Sequence, residues 1–194
     1  GRLKKPVQVD LDLAAQGPPI YDQGQLGSCT AKAVCEALRV DQMRQGEPGM
    51  DLSRLFLYWV TRNREGTSTS DAGATIRDAV KCANGIGVPP ELDWPYAINL
   101  FAVKPPPAAF TDAKMHEAVQ YSRVSQDLAQ MKGCLASGLP FVLGFSLYTS
   151  FETDAVAKTG IVPMPSKSER LIGGHAVMAV AYDDAQRWIK CQNS

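Results

Sequence analysis

The chain has 194 residues, 45% of them hydrophobic, which is enough for one substantial core or for two small lobes sharing a cleft. Its 20 basic and 20 acidic side chains cancel, no basic patch is interleaved with aromatics, and no apolar run reaches the length of a membrane span. Nucleic acid and bilayer are therefore not expected partners. Cys29, Cys35, Cys82, Cys134 and Cys191 form an odd set without Cys-x-x-Cys spacing, which argues against zinc, and neither metal nor cofactor is expected.

In chain order, Gly1-Arg2-Leu3-Lys4-Lys5 lacks an apolar signal region, which leaves the compartment open between cytoplasmic and secreted. Residues 6–13 alternate polar and apolar side chains and read as an extended segment on a surface. Gly17-Pro18-Pro19 breaks that segment and leads into Gln23-Gly24-Gln25-Leu26-Gly27-Ser28-Cys29-Thr30. From Ser28, a favoured N-cap type, the pattern predicts a helix that stops near Gln45-Gly46.

A second helix is expected from Ser53 to about Asn63, apolar nearly all round and hence buried. Residues 65–73 are small and polar, a loop. A third helix follows, with Ile76, Ala79, Val80 and Ala83 on one face and Gly85 closing it. The proline-rich stretch 86–112 reads as irregular chain or a crossover between lobes.

The second half changes character. Val119 to Val124 alternates as a strand does, Ser125 to about Ser137 reads as a helix, and Leu139 to Phe145 reads as a buried strand. Residues 176–182 and 187–193 form two further strands joined across Asp183-Asp184-Ala185-Gln186.

The glycine-rich turn delivers Cys29 to the first turn of a helix, where free N–H groups and the helix dipole favour a thiolate. A small buried hydrophobe looks the same, so the rest of the chain has to supply a base. Of two histidines, His116 lies among charged residues and reads as a solvated surface side chain. His175 follows Gly173-Gly174 and opens an apolar strand, so its ring projects from a strand end. Pairing of the last two strands brings Asn193 within reach of that ring, where an amide can fix orientation and tautomer.

With these residues in place, the chain resembles the papain-like cysteine peptidases, in a bacterial subtype. The likeness rests on Gln23 six residues before Cys29, on Gly27-Ser28-Cys29, on Gly174-His175-Ala176-Val177 and on Asn193-Ser194. Asp71-Ala72-Gly73 and Trp94-Pro95-Tyr96 add weaker support. The resemblance implies an α+β fold of two lobes: a helical lobe over about 14–110, and an antiparallel, β-barrel-like lobe from about 1–13 and 111–194, with the site in the cleft between them.

It further implies that Cys29 is the nucleophile, His175 the general base and then acid, Asn193 the orienter, and Gln23 an oxyanion donor beside the Cys29 N–H. Gly73 would pair through its backbone with an extended peptide, and Gly174 would adjoin the groove. Ala74, Thr75, Gly144 and Gly173 would line a specificity pocket of small residues that accepts a bulky apolar side chain. The implied partner is a peptide or protein substrate.

The chain also departs from the family. Leu26 and Thr30 stand where the signature Cys-Gly-Ser-Cys-Trp has its first cysteine and its tryptophan, so the disulfide of that first cysteine cannot form. Cys35, about 240° around the helix from Cys29, is expected in the core. No long helical propeptide precedes the turn, and the family continues past the asparagine with Trp-Gly and further strands, so the β lobe reads as cut short. Residues 1–20 are a candidate for lying across the groove. The expected function is a cysteine endopeptidase. The alternatives are a cysteine acyltransferase or aminopeptidase with the same site, or an inactive peptide-binding homologue.

Overall fold

A computed structural model describes residues 8–11 and 21–193. The first half is helical: α1 (Cys29–Arg44), α2 (Arg54–Glu65), α3 (Ile76–Gly85) and α4 (Pro107–Ala113). The second half carries α5 (Leu128–Ala136), β2 (Phe141–Tyr148), α6 (Asp154–Thr159), β3 (Leu171–Asp183) and β4 (Trp188–Gln192). A short β1 (Gln8–Asp10) joins them.

The centre of the helical half is α2. All nine residues from Arg54 to Arg62 are buried, as an all-round apolar pattern demands. Ser53 caps the helix by accepting the Phe56 N–H, and Gly66 closes it at φ +76°, so the helix ends at Glu65, two residues beyond the expected Asn63. Arg62 is fully buried at its end. Its guanidinium stacks 4.0 Å from the Tyr58 ring and donates to the carbonyls of Ser68 and Ser70, at 2.9 and 2.6 Å, and of Phe101. One cation thereby fixes the course of the polar loop 67–75.

The proline-rich stretch is more ordered than its composition implies. Pro107 occupies the first turn of α4, where a missing N–H costs nothing. Phe110 from that helix packs edge-on against Phe56 at 4.9 Å and Trp59 at 6.3 Å, with Ala109 and Ala113 buried beside it. Gly87, at φ +82°, passes so close to α4 that a Cβ would lie 1.7 Å from the Ala113 carbonyl oxygen. Only glycine fits there.

The sheet is antiparallel, with β3 at its centre among the described residues. Ala179 pairs with both Phe141 and Cys191, so β2 and β4 lie on opposite edges of β3. Ala181 pairs with both Asp10 and Lys190, which puts β1 on the same edge as β2, further along. Two expectations change here. Residues 119–124 form no strand, because they have no partner: Val119 is 94% exposed and Tyr121 51% exposed. And β3 begins at Leu171, so Gly173 and Gly174 are strand residues opposite Leu147 and Ser146, and His175 is the fifth residue of β3 and not its first. Cross-strand pairing with β2 outweighs the poor strand propensity of glycine.

The helix α1 joins the two halves. Ala31, Val34 and Cys35 face the helical core, while Val40 and Ala37 pack with Met178, Val180 and Ala181 of β3. That double contact brings the start of α1 against the middle of β3. Of the N-terminal stretch 1–20, residues 8–11 run beside Val180 to Asp183, more than ~15 Å along β3 from His175 at about 3.3 Å per residue, and so do not cross it. The rest of that stretch lies outside the described residues, as does half of the extended segment 6–13.

Candidate active site

The turn before Cys29 is held from three directions. The Gly27 N–H donates to the Asp71 carboxylate at 3.1 Å, and Tyr58 donates to the same carboxylate. The Tyr96 hydroxyl donates to the Gln23 carbonyl at 3.0 Å, so the Ser28 hydroxyl, 2.6 Å away, donates to Tyr96. The Thr30 hydroxyl donates to the Ala74 carbonyl at 2.8 Å. Ser28 therefore sits at the N-cap position without capping, its hydroxyl spent on Tyr96. A helix start left with unpaired N–H groups keeps its positive end directed at Cys29.

Cys29 and His175, 146 positions apart, share a hydrogen bond. The second ring nitrogen, Nε2, lies 2.5 Å from the Asn193 amide oxygen. That oxygen only accepts, so Nε2 carries a proton and the other ring nitrogen is the one that meets the thiol. Asn193 lies one residue past β4, after Gln192, which pairs with Met178. By that register Asn193 is level with Val177, two residues from His175 on the same face of the sheet.

Burial works against a charged Cys29, but the hydrogen bonds from His175 and the Ala176 N–H outweigh it and hold the thiol below its ordinary range. The Cys29 hydrogen bond raises the His175 imidazole; burial opposes it, and Asn193 adds to the rise. Both shifts favour thiolate and imidazolium together. The other four cysteines shift the opposite way through burial, Cys191 up to about 11 and Cys35, Cys82 and Cys134 also upward. All five thiols are free, and Cys35 lies in the core as expected.

Gln23 is in the same turn, its amide donating to the Leu26 carbonyl at 3.1 Å. Gly73, at φ +74°, spends its N–H on the Tyr58 hydroxyl at 3.2 Å. Thr75 caps α3 and donates to Glu65, so its hydroxyl is committed to structure. Gly144 pairs with Ala176, and a Cβ there would meet Ile76 at 3.3 Å. At Gly173 and Gly174 a Cβ would enter open space, so packing does not require glycine at either.

Phe145, opposite His175 on β2, and Phe151 set their rings 5.9 and 6.0 Å from the imidazole. Neither aromatic carries a sequence signal that separates it from ordinary strand filling. Asp71 and Tyr96 were visible only as parts of short motifs, with no indication of what they hold. His116 lies elsewhere, in a single 3-10 turn whose carbonyl accepts the Val88 N–H. Among the described residues no three His, Cys, Asp or Glu side chains gather as metal ligands, and no helix is long and apolar enough to cross a membrane.

The chain is similar in sequence and fold to known proteins. The chain is 39% identical over 182 residues to an uncharacterized peptidase C1-like protein of Acanthamoeba polyphaga mimivirus, a match over 89% of this chain that spans 58% of the relative's length. It is 38% identical to xylellain, a cysteine protease from Xylella fastidiosa, with a TM-score of 0.88 over 98% of this chain and 75% of that one. A cysteine protease from Carica candamarcensis, at 21% identity and a TM-score of 0.64 over 97% of this chain and 82% of that one, shares the fold. No protein-family model matches the chain.

Proposed function

We propose that this chain, which belongs to the papain-like cysteine proteases, is a thiol endopeptidase that works through Cys29, His175, Asn193 and Gln23. The observation that carries the reading is the run of contacts from the Cys29 thiol through the His175 ring to the Asn193 amide oxygen. It supplies a nucleophile, a base and an orienting group in hydrogen-bonding order.

The Cys29 thiolate attacks the scissile carbonyl carbon, and the carbonyl oxygen takes the negative charge. The Cys29 N–H and the Gln23 amide donate to that oxygen. Collapse breaks the C–N bond as the imidazolium gives its proton to the leaving amine. The neutral imidazole then takes a proton from water, whose oxygen attacks the thioester. Loss of the Cys29 sulfur as thiolate frees the carboxylic acid product and restores the pair.

An extended peptide would lie along Gly73, whose carbonyl is the backbone group left to it, since Tyr58 occupies the N–H. Ala74, Thr75, Gly144, Gly173 and Gly174 border this path, with Ile76 lying across Gly144. A pocket walled this way favours an apolar side chain two residues before the scissile bond.

The test is cleavage of an N-terminally blocked peptide with mapping of both products. The reading expects cleavage of the blocked peptide and a free acid in the presence of an added amine. Cleavage only of unblocked peptides would point to an aminopeptidase, an amide product to an acyltransferase, and neither product to a peptide-binding homologue.

A further inference from the structure

We infer that Glu36 is a positioning residue: its buried carboxylate, two turns along the nucleophile helix, tethers Gln192 and thereby holds Asn193 against His175. The inference rests on the peptidase reading and adds to it a part of the molecule that touches no substrate.

The geometry forms a closed ring. Cys29 and Glu36 stand seven residues apart on α1, on one face of the helix. Glu36 is 7% exposed, and its Oε1 accepts from Arg39 at 3.4 Å and from the Gln192 side-chain amide at 3.3 Å. Gln192 is the last residue of β4, and its pairing with Met178 is the last rung of the β3–β4 ladder. Asn193 follows directly and bonds His175, which bonds Cys29. So α1 holds the nucleophile at one end of the ring and the orienter, through Gln192, at the other.

The tether is placed where the ladder needs it. The β3–β4 register slips by one residue between Ala179 and Ala181, so only Met178 and Ala179 pair with β4 on the side of the bulge nearer the site. Two rungs beyond a bulge fray readily. Asn193, past the last rung, would follow that fraying. The contact between Glu36 and Gln192 ties the strand end to a helix packed in two cores. Arg39, 6% exposed, gives the carboxylate the counter-charge that its burial requires.

The test measures peptide cleavage and Cys29 alkylation across pH in the full chain, for the wild type, Gln192→Leu and Glu36→Gln. In Gln192→Leu we expect kcat to fall by about ten- to a hundredfold, the cost of a slightly misplaced catalytic group, with KM unchanged within about twofold. The upper arm of its kcat/KM profile should move to lower pH, because a loosened Asn193 no longer supports the imidazolium. Glu36→Gln keeps an acceptor for the Gln192 amide and should retain most of kcat. Thermal melting of each variant separates misplacement from unfolding. A Gln192→Leu variant with wild-type kcat and an unmoved upper arm overturns the tether, as does a kcat loss matched by a rise in KM and a collapse in melting temperature. If wild-type Cys29 shows no preferential alkylation, the peptidase reading itself fails and the tether falls with it, a result distinct from either of the others.

Discussion

Cys29→Ser lowers kcat/KM for peptide cleavage by at least about a thousandfold while leaving peptide binding in place. The two side chains differ by one atom, so the turn held by Asp71, Tyr58 and Tyr96 keeps its shape. What changes is the charge state. A thiol held below its ordinary range by His175 and the Ala176 N–H gives up its proton more readily than a free thiol. A hydroxyl in the same place does not ionise, and His175 would have to remove its proton during attack in a site built for a preformed ion pair. Cys134→Ser is the control: Cys134 lies outside the site and burial keeps its thiol protonated. Steady-state kcat/KM for both variants, with peptide binding measured separately, checks the expectation. Near-wild-type cleavage by Cys29→Ser would rule this thiol out as the nucleophile.

Gln23→Ala gives the second largest effect. A positioned donor to an oxyanion contributes about 2.7–4 kcal/mol to the transition state, so kcat should fall by about 10²–10³ with KM nearly unchanged. The separation of kcat from KM is the informative part, because the donor matters only once charge has moved onto the oxygen. Two anchors shape the turn that presents Gln23: its own carbonyl accepts from Tyr96, and its side chain reaches the Leu26 carbonyl. Steady-state kinetics on a single peptide, with melting curves to show that the turn survives, check it. A variant that loses affinity but keeps kcat would make Gln23 a substrate contact.

Signals confined to a few neighbouring residues could be read from the sequence, and those that depend on distant partners could not. The helix over 29–44 was legible from its small apolar face and its closing glycine. Cys29, His175 and Asn193 stood out because a turn, a strand and a hairpin each have local signatures. Val119 to Val124 misled because alternation marks a strand only when another strand comes to pair with it. Pro107 misled in the other direction: proline forbids a helix interior but suits a helix start, and Phe110 anchors the turn that follows. Glu36 and Gln192, 156 positions apart, look in the sequence like a polar helix residue and a polar strand end. Nothing periodic connects them. The same holds for Asp71 and Gly27, or Tyr96 and Ser28, whose single hydrogen bonds fix the turn that carries the sulfur.

The central claim is that Cys29 and His175 rest as thiolate and imidazolium. A lowered thiol pKa puts the anion below the ordinary thiol range, and a raised imidazole pKa keeps the cation above the ordinary histidine range. The pair therefore occupies a window that opens below the ordinary thiol range and closes above the ordinary histidine range, with edges that belong to the pair. The most direct measurement is the alkylation rate of each cysteine against pH, with one equivalent of reagent and peptide mapping. The account predicts that Cys29 is modified fastest near pH ~6, where unperturbed thiols are almost wholly protonated. Cys35, Cys82, Cys134 and Cys191 should lag well behind, and cleavage should disappear in step with the Cys29 label. Equal rates at all five cysteines, or a Cys29 profile with its midpoint in the ordinary thiol range, would contradict it.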